Sequence, residues 1–354
     1  MENIKIVSFK EALKMSDSNK RHLLLGNGFS IAYRRDIFSY KNLFKEADFS
    51  SVSENAKRVF EKFDIYDFEI VIRKLRDTKQ VLEVYRRRHK DKSLLKLLEK
   101  DADGLKEILV RTLTYKHPDL PSRISESQYK ACIKFLSNFI EKGSHIFTLN
   151  YDLLLYWVLI KGWDMAVFDS RNIDDGFRPG EEGEDYVVWE PSEAKNQKVY
   201  YLHGALHLFD DGLEIKKYTW SRTDIPLMQQ IREAVSNDIF PLFVAEGTSD
   251  SKMTRINHSA YLGKGIRSFA GIGGDLFIYG HSLSKNDSHI LDYIGKSKIV
   301  NLFISIYGNP ESKQNRNTIK KAQLIKMSRS RHDKRNRYPL NIIFYNAESA
   351  KVWG

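Results

Sequence analysis

Six short apolar runs dominate the sequence after Gly143: "HIFTL", "VYYLHG", "PLFVAEG", "DLFIYG", "NLFISIYG" and "LNIIFYN". Each is apolar along most of its length instead of alternating, so each reads as a strand buried on both faces. Stretches with helical apolar spacing separate several of them, among them "LLLYWVLIKG", "DIPLMQQIREAVSND", "AYLGKGIRSFA" and "NDSHILDYIGK". Buried strands alternating with helices build a parallel sheet covered on both sides. An earlier run, "HLLL" at residues 22–25, starts the same pattern. The expected class is α/β: a Rossmann-like, mostly parallel sheet flanked by helices, with a helical insertion near the N-terminus. Asp211-Gly212 in "LFDDGLEI" signals a hairpin outside the main sheet.

The pattern also divides the chain. Residues 1–50 begin the α/β domain, and residues 143–354 complete it. Residues 51–142 are read as a helical insertion, on highly charged amphipathic segments such as "FEIVIRKLRD" and "SLLKLLEKDADGLKEILVRTL". Its last helix is expected over residues 126–142, with Cys132, Ile133, Leu136, Phe139 and Ile140 on one face and Gly143 as its C-terminal cap. Cys132 is the only cysteine, which excludes an intrachain disulfide and a cysteine-clustered zinc site. No histidine pair flanks a glutamate at metal-binding helical spacing, so no metal is expected. No apolar run reaches the ~20 residues of a membrane span. The first residues lack the apolar core of a signal peptide. A cytoplasmic protein is expected.

The net charge of +11 gathers partly in "YRRRHKDK" (residues 85–92) and "KKAQLIKMSRSRHDKRNR" (residues 320–337). Such runs either solvate helix faces or attract nucleic acid and other anionic partners. The second run holds no aromatic residue before Tyr338, which weakens a base-stacking role.

In an open parallel sheet, ligands bind beyond the C-terminal strand ends. The residues there are Gly26-Asn27-Gly28-Phe29-Ser30, Asn150-Tyr151-Asp152, His203-Gly204, Glu246-Gly247 and Gly280-His281-Ser282. Glycines at a strand-to-helix turn make a tight turn, or let a phosphate approach the backbone. Asn150 and Asp152, two apart, point to one side. An amide and a carboxylate there suit ribose hydroxyls, a carboxamide or a positioned water, while Asp152 alone would also start the following helix. His203 can exchange a proton near neutral pH. His207, on the expected hairpin, is a weaker candidate.

Taken in order, "GNGFS", "TLNYD", "LHG" and "GHSL" resemble the NAD-binding signatures of sirtuins, and the variants are closer to bacterial sirtuin-like proteins of the abortive-infection type. The resemblance spans roughly Leu23 to Gly354, apart from the insertion. It implies an NAD site. Gly26, Asn27, Gly28, Phe29 and Ser30 would cradle the pyrophosphate and ribose. Asn150 and Asp152 would face the nicotinamide ribose and carboxamide. His203 would act on the ribose or as base, and Gly280, His281 and Ser282 would bind phosphate or the adenosine ribose. Asn27 stands where the signature has alanine, and His281 where it has a small hydroxyl residue. The four-cysteine zinc module of deacetylating sirtuins is missing between Gly204 and Gly280. The resemblance therefore implies cleavage of NAD⁺ by water to nicotinamide and ADP-ribose, with Asn150, His203 and Asp152 as the catalytic set and no cofactor beyond NAD⁺. In the cell this would be a gated effector of anti-phage defence, controlled by homo-oligomerisation, a partner protein or a phage-derived trigger. The alternatives are a non-catalytic sensor of NAD⁺ or ADP-ribose derivatives, and a nucleic-acid-binding effector.

Overall fold

A computed structural model of the chain describes residues 5–85, 91–141, 143–180, 183–334 and 337–354. Its strands in chain order are β1 (Ile6–Val7), β2 (Arg21–Leu25), β3 (Ile146–Thr148), β4 (Phe177–Pro179), β5 (Tyr186–Trp189), β6 (Val199–Tyr201), β7 (Leu208–Asp210), β8 (Ile215–Tyr218), β9 (Gly273–Tyr279), β10 (Lys298–Ile306) and β11 (Asn341–Asn346). Seven of them form one sheet in the order β1-β11-β10-β9-β2-β3-β6. Every pairing in it is parallel. The apolar runs are buried as the α/β pattern requires: Leu23, Leu24 and Leu25 on β2 and Leu276, Phe277 and Ile278 on β9 are fully enclosed. Phe277 stacks on Phe303 of β10 at 4.2 Å between ring centroids.

The expected hairpin is present as β7–β8, inside a separate antiparallel sheet ordered β4-β5-β8-β7. One expected strand is not. "PLFVAEG" forms only an isolated bridge between Phe243 and Gly204. It is buried because it covers the chain after β6: Val244 N–H donates to His203 O at 2.9 Å, and Ala205 N–H to Leu242 O at 3.0 Å. An apolar run reports burial, and burial without periodicity does not distinguish a strand from a covered loop.

Between β2 and β3 the chain runs through helices Glu54–Phe63, Phe68–Tyr85, Asp91–Lys116 and Glu126–Leu136. The last of these opens with a capping box, Ser125 and Gln128 exchanging bonds. It belongs to the layer against the sheet, since Phe135 packs on Phe9 and Tyr279. It stops at Leu136, and Lys142, where it was expected to end, lies outside the described residues. Cys132 is buried in it, as its spacing indicates. The long helices are held to the sheet domain by specific bonds: Arg76 donates to Glu246 O at 2.7 Å and Arg73 to Asn286 Oδ1 at 3.2 Å. Glu246 and Gly247 therefore anchor the helical segment, and they do not join the strand-end residues at the cleft.

Of the first basic run, residues 86–90 lie outside the described residues, as do 335 and 336 of the second. Most of the second run lies on the helix Lys313–His332. One of its arginines is structural: Arg329 is buried and donates to the carbonyls of Ile294, Gly295, Ile299 and Tyr338. Among the described residues no helix is long and apolar enough to cross a membrane.

Candidate functional site

The chain leaves β2 toward β3 and β6 on one side, and β9, β10 and β11 fill the other. The sheet therefore changes direction between β2 and β9, and a crevice opens at such a point. A cleft of about 900 Å³ lies there, lined by Gly26, Gly28, Asn150, His203, Gly280 and His281. Asn27, Asp152 and Ser282 also line it. Strand register explains the convergence. Thr148 pairs with Tyr201, so Asn150 and His203 each follow the end of a neighbouring strand by two residues. Leu25 pairs with Tyr279, which brings Gly26 opposite Gly280.

The glycines have a structural task that the sequence does not reveal. A Cβ on Gly28 would lie 2.5 Å from the Gly280 Cα, and one on Gly26 would lie 2.7 Å from the His281 Cβ. Gly28 N–H donates to Gly280 O at 2.8 Å, Gly26 N–H to Tyr279 O at 2.9 Å, and Phe29 N–H back to Gly26 O at 2.9 Å. These N–H groups are spent within the fold and are not free to hold a phosphate. Gly28→Ala is accordingly expected to lower apo stability by about 1–3 kcal/mol through overpacking against the β9 loop, measured by thermal unfolding without ligand. An unchanged melting temperature would contradict that packing.

Phe29 and Ser30 sit behind the cleft wall. Phe29 is fully buried, and its carbonyl accepts from Trp353 Nε1 at 2.9 Å. The Ser30 hydroxyl donates to Asp152 Oδ2 at 2.5 Å and accepts from Asn150 Nδ2 at 3.0 Å. Ser30 therefore bonds Asn150 and Asp152 and does not line the cleft, contrary to the ligand contact expected of it. Asp152 Oδ1 accepts Leu154 N–H at 3.0 Å at the first residue of the next helix, whose N-cap position is taken by Leu153 instead of Asp152. Burial raises the Asp152 carboxyl above its usual value, with the Ser30 bond working against that.

Asn150 lines the cleft. It is 8% exposed. Its Nδ2 is committed to Ser30, and its buried Oδ1 has no partner. A buried amide oxygen without a donor costs about 1–3 kcal/mol, a penalty that a donor entering the cleft would remove.

Beside Asn150 lies a buried charged cluster with no trace in the sequence motifs. Lys252 Nζ donates to Glu69 Oε2 at 2.6 Å and to Asp287 Oδ1 at 2.9 Å, and Lys252 is completely enclosed. Burial works to lower the ammonium, but Asp287 and Glu69 outweigh it and hold it above its ordinary value. Burial would raise Asp287, but Lys252 and His281 hold it well below the usual carboxylate range. Tyr151 Oη reaches Glu69 Oε1 at 3.0 Å. His281 Nδ1 accepts Leu283 N–H at 3.0 Å, so its ring proton sits on Nε2 and points to Asp287 Oδ2, also at 3.0 Å. Asp67 joins the wall from the same helical segment as Glu69; burial, then Glu69, raises its carboxyl to about 7.

His203 is 2% exposed. Burial, with Lys252 next, pushes its imidazole well below the ordinary value, against the proton exchange near neutral pH expected of it. Its Nε2 meets His289 Nε2 at 3.0 Å. His203, Asp287 and His289 each offer a ligand atom within 4.8 Å of the others, a spacing that could hold a metal ion. Local spacing does not reveal this trio, because His203 lies more than eighty residues from Asp287 and His289 in the chain. Yet Lys252 already brings a positive charge to Asp287. Glu69 and Asp287 share that ammonium between them, so the trio sits beside a charged pair already formed. His207 is buried away from the cleft against Tyr201 and Tyr156.

The profile of one protein family, described as "Domain of unknown function (DUF4917)", matches residues 23–353, and the chain belongs to that family. No curated protein matches the sequence.

Proposed function

We propose that this member of the DUF4917 family binds NAD⁺ across its strand ends and hydrolyses the bond between nicotinamide and ribose. The reading is carried by one observation: Asn150, with a buried, unpartnered Oδ1, and His203 follow the ends of adjacent strands in the cleft at the sheet's change of direction. The pyrophosphate would lie in the cleft past the packed turn of Gly26, Gly28 and Gly280, which line it. The nicotinamide ribose then falls beside Asn150 and His203, and the adenosine beyond β9. The substrate brings its own leaving group, a cationic nicotinamide, so the protein need only orient the bond, stabilise charge on the ribose and place a water. Acidic groups around the pocket, Asp287 and Glu69 among them, favour the positive charge that passes from pyridinium to ribose. No cofactor beyond NAD⁺ and no metal is needed. The role in anti-phage defence, with a trigger or partner that gates activity, rests on the resemblance alone.

Chromatography of NAD⁺ incubated with purified protein tests the reading, with and without lysate of phage-infected cells. Nicotinamide and ADP-ribose are expected in equal amounts, and the rate should survive a chelator. Binding without turnover under every condition would favour the sensor. Loss of activity on chelation, restored by one divalent metal, would return the His203–Asp287–His289 trio to a metal role.

A further inference from the structure

We propose that the outer face of the helix Lys313–His332 docks double-stranded DNA through its phosphates. The inference goes beyond the hydrolase reading and does not depend on it. In its 20 residues the helix carries Lys313, Arg316, Lys320, Lys321, Lys326, Arg329 and Arg331, and no Asp or Glu. Elsewhere many cations are balanced by nearby acids: Arg76 by Asp103, Lys79 by Glu99, Arg111 by Asp238 and Arg232 by Asp119. Among the described residues no cation of this helix forms an ion pair. Asp333, which follows it, accepts the Tyr338 N–H at 2.6 Å.

Helix geometry gathers these charges. Successive residues turn by about 100° and rise about 1.5 Å. Lys313, Arg316, Lys320, Leu324, Met327 and Arg331 therefore fall within about 80° of one another along about 27 Å. All six are exposed. The opposite side is fixed to the protein: Thr318, Ile319 and Ala322 are buried, and Arg329 bonds four carbonyls from within. The first turn is held too, by Asn315 Nδ2 donating to Tyr307 O at 2.9 Å and to Asn309 O at 2.8 Å. Gln314, Asn315 and Thr318 line the cleft, and the six outer residues do not. The cations thus stand on an anchored helix and face away from the cleft.

Like charges in such a row repel one another, and a line of phosphates relieves the repulsion while releasing its own condensed counterions. Duplex DNA fits the rest of the face as well. Its major groove is about 12 Å wide and admits an α-helix, whereas that of duplex RNA is deep and narrow. Leu324 and Met327, 56% and 53% exposed within the row, suit the thymine methyl groups in that groove, which RNA lacks. A single strand would call for aromatic platforms, and the helix has none. A bilayer surface would call for a broad apolar face, but Ile319 and Ala322 are turned inward.

The test is fluorescence anisotropy of a labelled DNA duplex of about 20 base pairs, two helical turns, titrated with the full-length protein across a salt series. With Lys313, Arg316, Lys320 and Arg331 on phosphates, log Kd should rise with log salt at a slope of about 3–4. Arg316→Gln combined with Lys320→Gln should weaken binding about 10–100-fold and lower the slope by about 2. Lys96→Gln combined with Lys100→Gln removes the same charge from another exposed helix face. Screening should keep its effect on Kd below about 2-fold. Thermal unfolding checks that both variants keep the fold. The same duplex as RNA should bind more weakly, and ADP-ribose should not displace the DNA. Equal losses in the two variants would reduce the binding to net charge and overturn the inference. Absence of binding at low salt would do the same, as would preference for polyglutamate or phosphatidylserine vesicles over DNA. RNA bound as tightly as DNA would overturn the groove assignment, and displacement by ADP-ribose would move the DNA to the cleft.

Discussion

Asn150→Ala should cut NAD⁺ turnover by about 100–1000-fold while the protein stays folded. Loss of one group that stabilises charge at the reacting centre costs this much in enzymes whose sites are preorganised. Asn150 meets the conditions for such a group. Its amide is oriented from behind by Ser30, which is locked in turn to Asp152, and its buried oxygen is left without a partner. The fold should tolerate the change. Ser30 keeps its bond to Asp152 and loses one donor, a cost of about 1 kcal/mol, and the orphaned amide oxygen disappears. Rates from nicotinamide release, set beside thermal unfolding, separate the two effects. Turnover within a few-fold of wild type would remove Asn150 from the chemistry. A collapse in melting temperature would show that its main task is to hold Ser30.

The second large effect concerns stability. Lys252→Met should destabilise the protein by about 3–5 kcal/mol, because removing one partner of a buried ion cluster strands the remaining charges. Here two carboxylates, Glu69 and Asp287, lose the ammonium between them. The melting temperature should fall on the order of 10 °C. Adding Glu69→Gln to the same chain should recover part of the loss, since one stranded charge is then neutral. A shift of less than about 2 °C would mean that the carboxylates are balanced by other groups. The cluster also joins distant parts of the chain: Glu69 comes from the long helices after β2, Lys252 from the helix Ser249–Asn257, and Asp287 from the loop after β9. Breaking it should loosen the helical segment from the cleft, visible as faster amide exchange in Phe68–Tyr85.

The parallel sheet and its strand-end residues were legible in the chain because burial on both faces is a local signal. A run such as "DLFIYG" needs no distant partner to read as an enclosed strand, and strand ends bind ligands in any sheet of this class. The same signal misread "PLFVAEG", which is apolar to cover the chain after β6 and pairs through a single bridge. Asn150, His203 and the glycines were visible because each follows a strand directly. Lys252, Glu69 and His289 were not, since each sits in a polar or amphipathic helix where a charged or ring side chain ordinarily faces water. Only the packing of three separate segments takes them out of water and makes them partners. Tertiary structure likewise decided what the small residues of "GNGFS" do. Sequence can state that a side chain is absent at Gly28 and that a hydroxyl is present at Ser30. Which neighbour uses the space, and which acceptor takes the proton, depends on β9 and β3 arriving on either side of β2, and parallel neighbours are set by long-range packing that no local pattern encodes.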